Sequence, residues 1–424
     1  MVYASSRRTP NAPPIVESLL VSNGGLGQRF WLLWGSFTSA NLGDGLSVVG
    51  FPLLAISLTD DARLVAFVAM CRFLAFPLLG LPAGIVIDRF ERRKLAAIAQ
   101  MGRASALGAV TWVVMIDEAT IPIISAAAFV VGVGEVITDG GLPAVVRSVV
   151  RADQLEVANS RLAASQTASN AFIGPPLGAL LFEIDPALPF LVAAGLYLLT
   201  VGMLGALRGS FRAEAQVDDG SLRHRMTRGL AYVWGHPVLR PLALVVAAFS
   251  FVGQAGHAIF VILVTERIGL SNFHYGLLLT VDAMASLTMS FFVARLITRT
   301  SHGTSMRLSV VTFTASALLL GFTATVGTAV LAMFLVGLSD PTWNVISATV
   351  RQRLVPDAIF GRMMTAYLFI AWGIQPFGAL AGGFVAESLG PEWVYVLAGA
   401  LIASLMIPGR RLFREVNLAM APGN

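Results

Sequence analysis

Charge is scarce in this 424-residue sequence, where Asp, Glu, Lys and Arg together make up 12%, about half the share of an ordinary soluble domain. A chain with so few charges cannot keep its surface in water, which excludes a soluble globular protein. Lysine is all but absent. Lys94, the one residue of its kind, is followed by Leu95, so the Gly-Lys-Ser/Thr of a phosphate-binding loop does not occur and ATP-driven work by this chain alone is excluded. Cysteine is as rare: Cys71 stands alone, which rules out an intramolecular disulfide. His224, His236, His257, His274 and His302 show no ligand-like spacing, so neither a metal nor another cofactor is expected. The first 29 residues lack a short apolar core followed by a small-residue cleavage site. With Pro10, Pro13 and Pro14 they read as a loose tail, and Arg7-Arg8 does not make a secretion signal.

What the chain has in abundance is hydrocarbon. Hydrophobic residues make up 56% of it, arranged in long blocks rather than amphipathic stripes. A membrane span needs about 20 apolar residues. Blocks of that length fall roughly at 30–57, 63–87, 95–116, 121–146, 157–182, 187–207, 240–265, 273–297, 306–325, 328–350, 362–386 and 391–409. Twelve spans put both termini on one side. The basic residues gather at alternate ends of the blocks: Arg29, then Arg89 to Lys94, then Arg147, Arg151 and Arg161, then Arg208 to Arg240, and onward to Arg410, Arg411 and Arg414. By the positive-inside rule that side is cytoplasmic, and the protein is expected in the plasma (inner) membrane. The net charge of +5 therefore reports topology. A lipid bilayer is the expected surrounding, nucleic acid is not an expected partner, and a monomer is expected.

The chain also repeats itself. Arg147 and Arg351, Asp153 and Asp357, Gly174 and Gly378, Gly178 and Gly382, and Glu183 and Glu387 all stand 204 positions apart, while Gly43-Asp44 and Gly253-Gln254 stand 210 apart. Two halves follow. We expect a cytoplasmic tail over 1–29, a six-helix bundle over 30–207, a cytoplasmic linker over 208–239, a second bundle over 240–413 and a tail over 414–424. Duplicated halves with a site at the bilayer midplane between them are a transporter architecture.

Two motifs sharpen this. Gly84-Ile85-Val86-Ile87-Asp88-Arg89-Phe90-Glu91-Arg92-Arg93-Lys94, between the second and third spans, resembles the Gly-x-x-x-Asp-Arg-x-x-Arg-Arg-Lys signature of the major facilitator superfamily. Gly84 permits close helix approach. Asp88 is placed to face the positive N-terminal end of the eleventh span near Gly361 when the cytoplasmic side is shut; Arg89, Arg92 and Arg93 complete the gating segment. Gly174-Pro175-Pro176-Leu177-Gly178 in the fifth span resembles the Gly-Pro-x-x-Gly motif of drug/proton antiporters in that superfamily. Prolines kink the helix and glycines let it pack closely, and Gln375-Pro376-Phe377-Gly378 is its symmetry copy. Together with Leu42 to Gly45, Cys71 to Leu74, Asn159 to Gly178, Trp234 to Pro237 and Arg351 to Asp357, these segments look like the subfamily of macrolide efflux and enterobactin-exporter proteins. The resemblance runs from about Phe30 to the twelfth span. It implies an all-α membrane protein with twelve transmembrane helices in two pseudo-symmetric six-helix bundles, alternating access, and proton-driven export of amphipathic small molecules. In one respect the sequence departs: many drug antiporters carry an Arg in the fourth span, where Glu135 and Asp139 stand here.

Ionisable residues stranded in hydrocarbon are functional sites by default. Asp44 counts about 21 Å in from the start of its span and Arg72 about 24 Å from Asp88, so the two are expected to pair. Arg103 and Asp139, about 13 and 12 Å deep, make a second expected pair. Glu135, about 18 Å deep, has no basic partner at its own level and ranks beside Asp44 as proton carrier. Gln254 replaces the acid in the second half, where Asp282 and Asp340 lie near midplane. Phe37, Phe51, Phe251, Trp343 and Trp372 are candidate walls of a substrate cavity, with Gln254, Asn344 and Gln375 as polar contacts. The expected function is proton-coupled efflux of drugs, macrolide-like compounds or siderophores. A uniporter or importer of a metabolite is the rival on the same fold. An intramembrane aspartyl protease built on Asp44 and Asp139 is the remote one.

Overall fold

The computed structural model describes residues 26–207, 209, 211 and 222–420. Every regular element among them is helical. In chain order these are α1 (Gly27–Leu58), α2 (Ala62–Arg89), α3 (Arg92–Met115), α4 (Ile121–Val149), α5 (Leu155–Gln166), α6 (Gly174–Ile184) and α7 (Leu188–Ala206). There follow α8 (Leu222–Gly235), α9 (Leu239–Ile262), α10 (Asn272–Arg299), α11 (His302–Phe322), α12 (Val326–Leu354), α13 (Asp357–Gly373), α14 (Gln375–Leu389), α15 (Pro391–Ser404) and α16 (Met406–Ala419). Among the described residues, nine helical stretches are long and apolar enough to cross a membrane, ten if the pair bent by 57° at the C-terminal end counts as one.

Of the twelve expected blocks, the last, at 391–409, is the bent pair, and two others fall short of that measure for readable reasons. Helix α3 begins at Arg92-Arg93-Lys94 and carries Arg103 in its body. The block at 157–182 is broken into α5 and α6 by a π-helical stretch, Thr167–Ile173. That stretch ends at Gly174-Pro175-Pro176, where two successive prolines remove backbone donors. The segment expected as a linker is helical over α8, whose Gly229 lies against the backbone of Arg362 on α13. The chain expected to trail off after residue 413 forms α16 instead, which lies along α11. There Asn417 Oδ1 accepts the Gly303 N–H at 2.7 Å.

Helices α1 to α7 pack largely on one another, as do α9 to α15. The two groups meet through α2 with α14, and α6 with α10. Near the face that carries Asp60, Asp61, Glu183 and Glu387, here the acidic face, one apolar core runs through both groups, joining Phe51, Val65 and Ala66 to Ile259, Tyr275 and Ala379. Toward the opposite, basic face the core divides. Leu33, Val145 and Leu162 belong to one cluster, and Leu242, Val310 and Ile346 to another. The molecule is therefore closed at its acidic face and parted at its basic face.

Candidate functional site

Asp44 sits halfway along α1, buried between α3 and α7. Its carboxylate forms an ion pair with the Arg103 guanidinium of α3, and Oδ1 accepts a hydrogen bond from the Tyr197 hydroxyl of α7 at 2.9 Å. The guanidinium carbon stands 4.2 Å from the Tyr197 ring centre, a cation–π placement, and Nη1 donates to Gln100 Oε1 at 3.3 Å. Glycines make the room. A Cβ on Gly134 of α4 would come within 2.5 Å of Arg103 Cγ, and one on Gly43 within 2.8 Å of the Tyr197 ring. With Arg103 only 1% exposed, its charge needs this counterion.

A second pair lies one turn further along α1. Arg72 Nη2 of α2 reaches Glu135 Oε2 of α4 at 3.3 Å. Arg72 Nη1 donates to Ser47 Oγ at 3.4 Å, and Ser47 Oγ donates to the Asp44 carbonyl at 2.9 Å. Ser47 thus ties Arg72 to the main chain of α1 at Asp44.

This overturns the expected pairing. Equal depth suggested Asp44 with Arg72 and Arg103 with Asp139, yet the partners are Arg103 for Asp44 and Arg72 for Glu135. Asp139 makes no ion pair among the described residues, and Glu135, expected to be alone, has a partner. Depth along a helix axis sets height only. Which neighbour a side chain meets depends on helix rotation, and Asp44 faces α3 and α7 while Arg72 faces α4.

Two cavities flank these ion pairs. One of about 60 Å³ is lined by α1, α3, α4 and α7, from Arg92 and Arg93 at the basic face to Asp44 and Arg103, with Asp139 and Phe37 in its wall. The other, about 150 Å³, lies between the two helix groups and is lined by Phe51, Arg72, Glu135, Asn170, Gln254 and His257. Of the residues expected to touch substrate, Phe51 and Gln254 line this central cavity and Phe37 lines the first. Trp343 is buried and stacks on Phe249 at 5.1 Å between centroids. Trp372 meets Phe76 edge-on at 5.2 Å across the two groups. Phe251 packs on the second apolar cluster, its backbone against Gly378. Asn344 is exposed, and Gln375 opens α14. Sequence reasoning passed over Ser47, Asn170, Tyr197 and His257. The available signal was polarity: Asn170 ends the run Gln166 to Asn170 inside a span, and His257 lies three residues past Gln254.

The gating residues divide between the faces. Among the described residues Gly84 has nothing within 4 Å of where a Cβ would stand, nor has Gly361. The Asp88 side chain lies outside the described residues. Arg89 is exposed; the Arg92 N–H donates to the Phe211 carbonyl at 3.3 Å; Arg93 holds Glu91 at 3.3 Å and the Leu207 carbonyl. The Gly-Pro motif packs on α1, where a Cβ on Gly178 would lie 3.0 Å from the Leu46 carbonyl oxygen, and one on Gly45 2.8 Å from Gly174 Cα. Pro175 itself is buried.

At the acidic face the seal is made by two symmetry-related glutamates. Glu183, at the end of α6, accepts the Phe273 N–H that opens α10 at 2.9 Å. Glu387, at the end of α14, accepts the Ala62 N–H that opens α2, also at 2.9 Å. Each carboxylate caps a helix of the other group, where free amides and the helix dipole favour negative charge. Gly276 and Gly383 let the backbones close: a Cβ on Gly276 would lie 2.7 Å from the Pro175 carbonyl oxygen, and one on Gly383 3.0 Å from that of Ala62.

Such an arrangement can hold and exchange protons beside a cavity but offers no nucleophile poised on a substrate. Asp44 is engaged by Arg103 rather than sharing a proton with Asp139, so the protease reading falls. The chain is 23% identical over 413 residues to the multidrug efflux pump Tap of Mycolicibacterium fortuitum, covering 93% of this chain and 98% of that one. It is 20% identical over 392 residues to macrolide efflux protein A of Streptococcus pyogenes, covering 89% and 94%. Its fold matches the crystal structure of the nucleoside transporter NupG with a TM-score of 0.73 at 14% identity, over 91% of this chain and 99% of that one. The family profile of the Major Facilitator Superfamily matches residues 33–374 and 243–419, and the chain belongs to that family of membrane transporters of small molecules.

Proposed function

We propose that this chain exports amphipathic small molecules against their gradient by letting protons in, with its basic face and both termini cytoplasmic in the plasma membrane. The observation that carries this reading is two neighbouring buried ion pairs, Asp44–Arg103 beside a cavity that reaches the basic face and Arg72–Glu135 in the wall of the central cavity. Tap and macrolide efflux protein A are named for efflux, which favours export over uptake.

Proton and substrate then act on neighbouring ion pairs. Protonating Asp44 or Glu135 removes the charge its arginine needs and frees that arginine to move, so the occupancy of the acid is felt at the cavity wall. In the state open to the basic face both acids are paired, the arrangement expected after a proton has left and before substrate is carried out. One proton crossing about 100 mV releases about 2.3 kcal/mol, and a unit of pH adds about 1.4. Their sum sustains a gradient of several hundredfold.

The test uses proteoliposomes with an imposed pH gradient and a panel of lipophilic antibiotics and siderophores, with and without an uncoupler. Asp44→Asn and Glu135→Gln should abolish proton-driven accumulation of the exported compound while sparing its counterflow exchange. Flux indifferent to the uncoupler, or directed with the proton, would assign the chain to the uniporters or importers.

A further inference from the structure

A third cavity lies wholly within the second helix group, among α9, α10, α11, α12 and α15, and encloses about 140 Å³. Its walls are mostly hydrocarbon and aromatic ring, including Phe260, Leu279, Phe313 and Met333, and among the described residues the one charged group in its lining is Asp282 of α10. Asp282 makes neither hydrogen bond nor ion pair among the described residues, in contrast to Asp44 and Glu135, each of which is matched by an arginine. Among the described residues no Arg or Lys lines the chamber. Helix α12 crosses at the same level, with Gly337 against the Asp282 backbone, and brings a second carboxylate there, Asp340, while its arginines, Arg351 and Arg353, stand in its last turn. Tyr395, also in the wall, gives its hydroxyl hydrogen to the Gly256 carbonyl at 2.8 Å and has none left for Asp282.

We propose that this chamber is a subsite for the cationic head of a lipophilic amine, with Asp282 as its counterion. The proposal rests on the transporter reading above and names the class of compound carried. A carboxylate among apolar groups is costly unless it is paired. An ammonium entering the chamber supplies the missing partner, and the faces of Phe260, Phe313 and Tyr395 attract the same charge. An uncharged hydrocarbon supplies nothing to Asp282. The volume limits what enters, because an apolar cavity of about 150 Å³ holds one benzene. The chamber therefore takes a head of that size, and the body of a longer substrate must lie elsewhere. His257 points to where, since it lines both this chamber and the central cavity. Gly253 and Gly256 keep the α9 wall between them thin. An elongated amphipathic amine fits with its head beside Asp282 and its body against Phe51 and Gln254.

Binding is measured on the full chain in lipid nanodiscs without any gradient, using benzyltrimethylammonium and neopentylbenzene, which replaces the nitrogen with carbon. The cation should bind at least tenfold more tightly. Asp282→Asn should weaken the cation tenfold or more and leave the hydrocarbon within twofold, and Asp282→Glu should restore the preference. Equal affinities in the native chain, cation binding intact in Asp282→Asn, or its complete loss in Glu135→Gln with Asp282 present would overturn the proposal. If Asp282→Asn fails to fold, Met333→Trp, which fills the chamber, must abolish binding of both probes; retention of either overturns it. Because no gradient is present, a failure of proton-driven export with binding intact counts against the exporter reading alone.

Discussion

At the scale of single residues, the ionisable side chains were legible but their partners were not. Asp44, Arg72, Arg103 and Glu135 stand out because each interrupts an apolar block, and the energetics of hydrocarbon demand that such groups be matched. The match between them depends on azimuth, and Tyr197, which turns the Asp44–Arg103 pair into a three-way contact, gives no sign of that role in its own span. The interdependence has a measurable consequence. Arg103→Ala strands Asp44 without a counterion and should cost about 3 to 5 kcal/mol, read as a lower thermal transition of the purified protein. In the Asp44→Ala/Arg103→Ala double variant most of that loss should disappear, because no buried charge is left behind. A double variant as unstable as the sum of the two single ones would mean that the pair contributes packing alone.

At the scale of elements, apolar block length located most helices to within a few residues, and failed where a helix is not uniform. The fifth block is an α–π–α composite because Gly174 must pass close to Gly45 and two prolines follow it, a demand that arises from α1 and is absent from the block itself. Helix α8 escaped notice because its amphipathic pattern is short and basic. At its far end His236 caps α9: Nδ1 accepts the N–H groups of Val238 and Leu239 at 3.2 and 3.3 Å. Burial holds the imidazole below its ordinary value, with Glu415 pulling weakly the other way. A base whose folded value is depressed stabilises the fold fully above its unfolded value, about 6.5, and that contribution is lost as pH falls toward the folded value. The native chain should therefore lose thermal stability as pH falls from 7 to 5. His236→Asn, which keeps an acceptor that does not titrate, should lose less over the same range; identical slopes would remove His236 as the cause.

At the scale of the whole molecule, the state observed is set by a seal at one face and a gap at the other. The repeat announced that Glu183 and Glu387 are equivalent, and the structure gives the equivalence a use, each capping a helix of the opposite group. Two caps of about 1 kcal/mol each bias the equilibrium by roughly thirtyfold. Replacing both glutamates by alanine should shift the population toward the form open at the acidic face. Spin labels on α2 and α13 at the basic face, in a Cys71→Ser background, should then report shorter distances. An unchanged distribution would show that backbone packing at Gly276 and Gly383 suffices for the seal.

Composition, block length and the 204-residue repeat determined by themselves that the chain lives in a bilayer, that it is built twice over, and which few polar groups its hydrocarbon must accommodate. These are one-dimensional quantities, carried by what each residue is and how far apart residues stand. Which arginine neutralises which acid, that Asp282 is left without one, and which face is shut were decided by tertiary structure alone. Each depends on how every helix is rotated about its axis, and a single residue of slip turns a side chain by about 100°, from one neighbour to another.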